Sequence, residues 1–283
     1  MADQQQTESG DQASSISKPP ILLIHGLWMT PLCWEDWIAY FETKGYEVLA
    51  PGWPGIDERT PEEIRVDSKP IADQSIQSIV DHYASIISTL KTPPIIMGHS
   101  FGGLFTQILL SRGYGCAGIG ISPAQPAGIF DLSINVLKAT APVLSNPLHA
   151  HSAVPFTAEQ FHFCFGNHLT RNQSDVLYNR YAIPSVAHVL WQGVTGMLKK
   201  SGPGHVDFDK TDRAPLLLIA GTNDHVVPLH TVQKEFDAYI AAKTTATVEL
   251  KIFEGRTHGI VNQDGWKEIA DFAIDFADGH AKY

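Results

Sequence analysis

The feature that most constrains this chain is a serine held between a strand and a helix. Ile95-Ile96-Met97 is a β-type apolar run, and Leu104, Phe105, Ile108 and Leu109 recur at helical spacing. Gly98-His99-Ser100-Phe101-Gly102 joins them, a match to G-x-S-x-G. A serine on so sharp a turn must take a strained backbone geometry, and flanking glycines let the neighbouring strands and helix pass. The turn lifts the Ser100 hydroxyl clear of the backbone at a helix N-terminus. There the dipole and free N–H groups favour developing negative charge. A plain Gly-rich turn carries the same letters, so the rest of the chain has to decide.

The rest alternates. Pro20 to Ile24 is a continuous apolar run of the kind buried on both faces of a sheet, and it ends in His25-Gly26-Leu27-Trp28. Gly26 permits a tight turn, after which the Leu27 N–H can point into a cavity as an oxyanion donor; a structural turn is the other reading. Trp34, Trp37, Ile38, Tyr40 and Phe41 follow at helical spacing, then an alternating strand over Tyr46 to Ala50. Pro51-Gly52-Trp53-Pro54-Gly55 is a rigid loop in which Trp53 is a pocket wall or a loop anchor. Residues 57–70 are charged and Pro-interrupted, hence surface, and 71–90 carry an apolar helical face. Further strands are expected at Ala117 to Ile121, Pro215 to Gly221 and Ala246 to Phe253, with helices over Leu229 to Ile240 and Trp266 to Ala277. Such alternation predicts an α/β fold with a mostly parallel sheet between helical layers.

Two stretches fall outside that pattern. Residues 1–18 are polar, without a basic start or an apolar core, and read as a disordered tail rather than a signal peptide. Core sequence occupies 19–122 and 208–283. Between them, 123–207 is cut by prolines, Pro142 among them, into short amphipathic pieces, which predicts a mainly helical cap. Its aromatic residues, Phe161, Tyr178 and Trp191 among them, either line an apolar cavity or pack the cap onto the core. Trp28 and Trp53 complete the candidate pocket.

Composition excludes several classes. A net charge of −10 leaves no basic surplus for nucleic acid or an anionic membrane surface. Three scattered cysteines make no disulfide framework, and no apolar run is long enough for a membrane span. A cytoplasmic protein is expected. Among thirteen histidines, His149, His151, His162 and His168 gather in the cap region, yet none forms a recognised metal-ligand spacing, so no metal site is assigned. No phosphate-binding glycine motif is present.

Ser100, Asp224 and His258 share one property: each follows an apolar strand at its C-terminal end, where an open parallel sheet forms its ligand crevice. A serine hydroxyl is a poor nucleophile until a histidine takes its proton and a carboxylate fixes that histidine. Individually, Asp224 is also a plausible helix cap and His258 a plausible surface residue; in the order Ser, Asp, His they read as a triad. Asp131 is the second candidate for the acid.

Residues 20–125 and 208–283 resemble the α/β-hydrolase fold superfamily. The resemblance rests on Ile24-His25-Gly26, Gly98-His99-Ser100-Phe101-Gly102-Gly103, Gly221-Thr222-Asn223-Asp224 and Thr257-His258-Gly259. Leu22 to Trp37 is similar to the cofactor-free esterase, lactonase and hydroxynitrile-lyase branches. The resemblance implies Ser100 as nucleophile, His258 as base, Asp224 as its orienter, the Leu27 and Phe101 N–H groups as the oxyanion hole, and no cofactor. Dehalogenases and epoxide hydrolases share the cap and the Pro-Gly loop but carry an Asp nucleophile, which Ser100 speaks against. The expected activity is a serine hydrolase acting through an acyl-enzyme on a small to medium apolar ester or lactone, as a monomer or homodimer. Two alternatives are a lyase of hydroxynitrile-lyase type, for which Thr30 is a loose match and a pocket Lys is wanting, and a slow-turnover ligand receptor on the same scaffold.

Overall fold

An unbroken apolar run has no polar face to offer solvent, so it belongs inside a sheet covered on both sides. In the computed structural model, which describes residues 18–56, 58–131 and 133–282, Ile21–Ile24 forms such a strand (β1), buried throughout. Helix α1 (Glu35–Thr43) leads to the short strand β2 (Val48–Leu49), and α2 (Pro61–Val66) and α3 (Ile76–Ile87) follow. Then come β3 (Ile95–His99), α4 (Phe101–Ser111) and β4 (Ala117–Ile121). The 123–207 stretch holds α5 (Ile134–Leu144), β5 (Ala153–Val154), α6 (Ala158–Cys164), α7 (Arg171–Tyr181), β6 (Ser185–Val186) and α8 (Ala187–Gly196). The chain re-enters the core with β7 (Leu216–Gly221), α9 (Leu229–Ala241), β8 (Val248–Phe253) and α10 (Trp266–His280).

Six strands make one sheet in the order β2-β1-β3-β4-β7-β8, every neighbouring pair parallel. The register Leu23↔Met97, Met97↔Ile119, Ile119↔Leu217 runs straight across its four central strands. Because all six strands point one way, the loops after β1, β3, β7 and β8 emerge at one edge of the sheet. Leu27, Ser100, Asp224 and His258 sit on those four loops. The β5–β6 pair is separate and antiparallel. Helix α1 braces this edge, since the Trp37 indole donates to the Val261 carbonyl at 2.9 Å, three residues past His258. Among the described residues no helix is long and apolar enough to cross a membrane. Apart from Lys18, the expected tail lies outside the described residues.

Three local expectations change. Residues 61–66, read as surface, form a helix that buries Pro61 and Ile64, since Thr60 and Glu63 cap each other reciprocally and Pro61 opens it. Pro142 does not break the chain; it lies in the last turn of α5, whose start Ser133 caps. The strand expected from Tyr46 shortens to Val48–Leu49, because the Tyr46 N–H turns back to the Phe41 carbonyl at the end of α1.

Candidate active site

Ser100 has φ 57° and ψ −122°, a conformation that costs a non-glycine residue about 1–3 kcal/mol. Its surroundings impose it. The Ser100 N–H donates to Ile121 O at 3.0 Å, and its carbonyl accepts from the N–H groups of Gly103, Leu104 and Ala124. The elbow also presses against the loop after β1. A Cβ on Gly102 would stand 2.1 Å from Ile24 O, and one on Gly26 would stand 2.7 Å from the Ser100 Cβ. Glycine at both positions therefore brings the Gly26-Leu27 turn against the serine.

His258 and Asp224 meet from β8 and β7. The His258 Nδ1 lies 2.8 Å from Asp224 Oδ2, with both side chains wholly buried. Asp224 Oδ1 is engaged separately, accepting the N–H groups of Val226 and Val227 at 2.8 Å each. A carboxylate so held keeps its partner's proton on Nδ1 and leaves the lone pair on Nε2. That Nε2 is sealed from solvent and has no hydrogen-bond partner among the described residues, the Ser100 hydroxyl included. Such bonds often close only when substrate is bound. Asp131, the second candidate acid, is occupied elsewhere: it accepts from the Thr231 hydroxyl at 2.6 Å and pairs with His230 and Lys234.

Two further histidines, His25 and His99, hold these loops together. His99 Nε2 donates to the His258 carbonyl at 2.8 Å, with the two rings 4.7 Å apart, so the loop that carries His258 is tied to the residue before Ser100. Burial holds the His99 imidazole well below its ordinary pKa. His25 does the same for the β1 loop. Its Nδ1–H donates to Gly26 O at 2.9 Å and its Nε2 accepts the Trp53 N–H at 3.3 Å. Burial pushes its pKa down to about 4, so the neutral ring that this pair of bonds requires is the form present at neutral pH. The His-Gly dipeptide was visible in the sequence, but its partner lies 28 residues away.

The N–H of Leu27, in the turn beside the serine, donates to no carbonyl or side chain among the described residues, and neither does that of Phe101. Phe101 opens α4, where an N–H has no intrahelical acceptor.

A narrow, partly open cavity of about 40 Å³ is lined by Ser100 and Phe101 with Trp28, Val136, Leu190 and Val227. Gln125 and Thr140 add polar groups, although the Thr140 hydroxyl already donates to Val136 O, and no lysine lines it. Of the five pocket candidates, Trp28 is on this wall; Trp53, Phe161, Tyr178 and Trp191 are not. Trp53 is the anchor instead, stacked on His25 with ring centroids 4.9 Å apart. Phe161 stacks on Phe165 and meets Tyr178 edge-on, and the Tyr178 hydroxyl donates to Phe156 O. On α8, Leu190, Gly193, Val194 and Met197 share the cavity face, and Trp191 falls off it by the helical period. The wall is thus mostly aliphatic, and the aromatic residues pack among themselves. Thr30 caps the turn at Pro31–Trp34, where its hydroxyl accepts the Leu32 N–H.

The profile of the alpha/beta hydrolase family matches residues 21–272, nearly the whole described chain. The chain belongs to the alpha/beta hydrolase family. It is 24% identical over 265 residues to a non-heme chloroperoxidase of Kitasatospora aureofaciens, covering 88% of each chain. It is 35% identical over 88 residues to (E)-2-((N-methylformamido)methylene)succinate hydrolase of Acinetobacter baylyi, a match that spans 31% of this chain and 30% of that protein. Among solved structures, a pyrethroid hydrolase from Sphingobium faniae superposes with a TM-score of 0.60 at 19% identity, over 92% of this chain and 97% of that one. Polyneuridine aldehyde esterase does so with 0.61 at 15% identity, over 92% and 99%. These similarities establish the fold, and membership of this family supports a hydrolase.

Proposed function

We propose that this alpha/beta hydrolase is a serine hydrolase of carboxylic esters or lactones. The observation that carries the reading is the buried His258–Asp224 pair with its uncommitted Nε2, on the same sheet edge as the strained Ser100. His258 Nε2 takes the Ser100 proton as the hydroxyl oxygen attacks the acyl carbon. Asp224 stabilises the imidazolium so formed. The N–H groups of Leu27 and Phe101 hold the tetrahedral oxyanion, each such donor being worth roughly 3–4 kcal/mol of barrier. Collapse breaks the bond to the leaving oxygen, which receives the proton from His258. Water, deprotonated by the same nitrogen, then releases the acid and restores Ser100. The aliphatic wall of the cavity suits a small to medium apolar portion of the substrate, and the esterase and hydrolase names among the relatives agree with ester cleavage.

Labelling with a fluorophosphonate, with p-nitrophenyl ester turnover in parallel, tests this. Wild type should label and turn over; Ser100→Ala should do neither while melting as a folded protein. A folded wild type that resists the label would overturn the reading, and single-turnover acylation without release would make the chain a receptor.

A further inference from the structure

Outside the Ser100 crevice the described residues bring together one group of metal-ligating side chains: Asp73, His151 and His188, each offering one donor atom, all within 4.8 Å of one another. They come from distant parts of the chain. Asp73 precedes α3 in the core, His151 precedes β5, and His188 stands in the first turn of α8. We propose that these three residues bind one divalent transition-metal ion, Zn²⁺ in the first instance, and that the ion fastens the 123–207 segment to the core.

Geometry and donor chemistry support the site. His151 Nδ1 already lies 2.7 Å from Asp73 Oδ1, and the His151 and His188 rings are 4.4 Å apart. Zinc binds imidazole nitrogen and carboxylate oxygen at roughly 2.0–2.2 Å, so these donors share one ion after they draw somewhat closer together. Two imidazoles and one carboxylate select zinc, nickel or copper over magnesium or calcium, which prefer oxygen shells. The second observation concerns His188. Its Nδ1 is buried and has no hydrogen-bond partner, an orphaned atom of the kind that a native structure has to account for. Sequence spacing could not reveal the set, because its members are 78 and 37 residues apart.

The position gives the ion something to do. His188 opens the helix that contributes Leu190, Gly193, Val194 and Met197 to the cavity wall. The Ser152 carbonyl beside His151 accepts the Ala187 N–H, and Gln192 Oε1 accepts the Ile76 N–H at the start of α3. The first of these bonds lies within the 123–207 segment and the second joins α8 to the core, so a metal here adds a second tie between α8 and the core.

The test uses untagged full-length protein titrated with Zn²⁺ against a chromophoric chelator, with Mg²⁺ as the oxygen-preferring control. One Zn²⁺ per chain is expected, Mg²⁺ should not compete, and His188→Ala and Asp73→Asn should each weaken binding at least about tenfold. His149→Ala, a nearby histidine outside the group, should leave affinity unchanged. Asp73→Asn alters an exposed side chain, so its melting curve without metal should match wild type and separate lost binding from lost fold. Hydrogen exchange at the start of α8 should slow with Zn²⁺ in wild type only. Absence of stoichiometric binding, or binding that survives both variants, overturns the proposal; the triad reading stands or falls separately, since Ser100 labelling needs no metal.

Discussion

The core and the 123–207 segment are built by different rules. Core strands β1, β3, β4 and β7 are apolar but for His99 at the end of β3, and they are buried without exception. Such strands have one way to be satisfied, in the middle of a parallel sheet, and that placement fixes where their C-terminal loops come out. The inserted segment has no comparable run. Its helices α6 and α7 are specified by reciprocal caps, Thr157 with Gln160 and Thr170 with Gln173, and large apolar residues such as Ile134, Leu148 and Val176 stay exposed. Under the proposed function the reaction chemistry sits on the part whose geometry is most constrained, and the 123–207 segment adds its residues to the cavity wall. Core substitutions at the site should remove turnover for every substrate, whereas substitutions on α8 should re-rank substrates.

Asp224→Asn is the strongest test of the first half. The amide can still accept the Val226 and Val227 N–H groups through its oxygen, so the fold should survive. Nδ1 of His258 loses its acceptor, however, and the imidazole is freed to adopt the wrong tautomer. Turnover should fall by about 10⁴-fold for short and long esters alike, the size of the loss when a triad acid becomes an amide. Steady-state kinetics on folded protein would check it. Near-normal rates would mean that the acid is not Asp224, although Asp131 is held by Thr231, His230 and Lys234 and is poorly placed to replace it.

Gly193→Ala tests the second half. An added Cβ would lie 2.8 Å from the Phe101 Cζ, so the ring must shift into the cavity that both residues line. Alanine is the better helix former, by about 1 kcal/mol, so α8 should not unravel. The ratio of kcat/KM for a butyrate ester to that for an acetate ester should drop by roughly tenfold, the scale set by a methylene that no longer fits. Fluorophosphonate labelling of Ser100 should persist. A uniform loss across chain lengths would instead show that the Phe101 backbone had moved, and the division between core chemistry and cap selectivity would not hold.

The same division explains how far the sequence could be read. Order, parallel pairing and the loop positions of Ser100, Asp224 and His258 follow from contiguous apolar runs and two glycine-marked turns, all of them local signals. What local signals miss is contact between distant segments. His25 gains its role from Trp53, the Asp73–His151–His188 group spans core and insertion, and the cavity wall was sought among aromatics when helical phase on α8 puts Leu190 and Val194 there and Trp191 aside. The residue types were right for burial, but nothing in a short amphipathic piece states which neighbour its face will meet.

Even the best-specified region holds one costly group, and it sharpens the contrast. Glu235 on α9 is fully buried; Oε2 accepts from the Gln107 side chain at 3.0 Å, while Oε1 has no partner among the described residues. Gln107 in turn accepts the Tyr239 hydroxyl at 3.1 Å. Burial raises the Glu235 carboxyl well above its ordinary value. A carboxyl with a raised folded pKa binds its proton more tightly in the native state. Its contribution to stability is therefore full below the unfolded pKa and declines as pH rises through the range between the two. Glu235→Gln keeps the shape and removes the titration. The melting temperature of the variant should match wild type at acid pH and exceed it by a few degrees in mildly alkaline buffer, about 4 °C or less per kcal/mol for a chain of this size. Gln107 lies on α4, which begins beside Ser100. The amide oxygen of the Glu235→Gln side chain still accepts the Gln107 side-chain N–H in place of Oε2, so the variant should leave ester turnover unchanged at the pH where both proteins are folded. A gap in melting temperature that does not widen with pH would mean that the carboxyl is already charged in the native core, with a proton donor other than Gln107 compensating it.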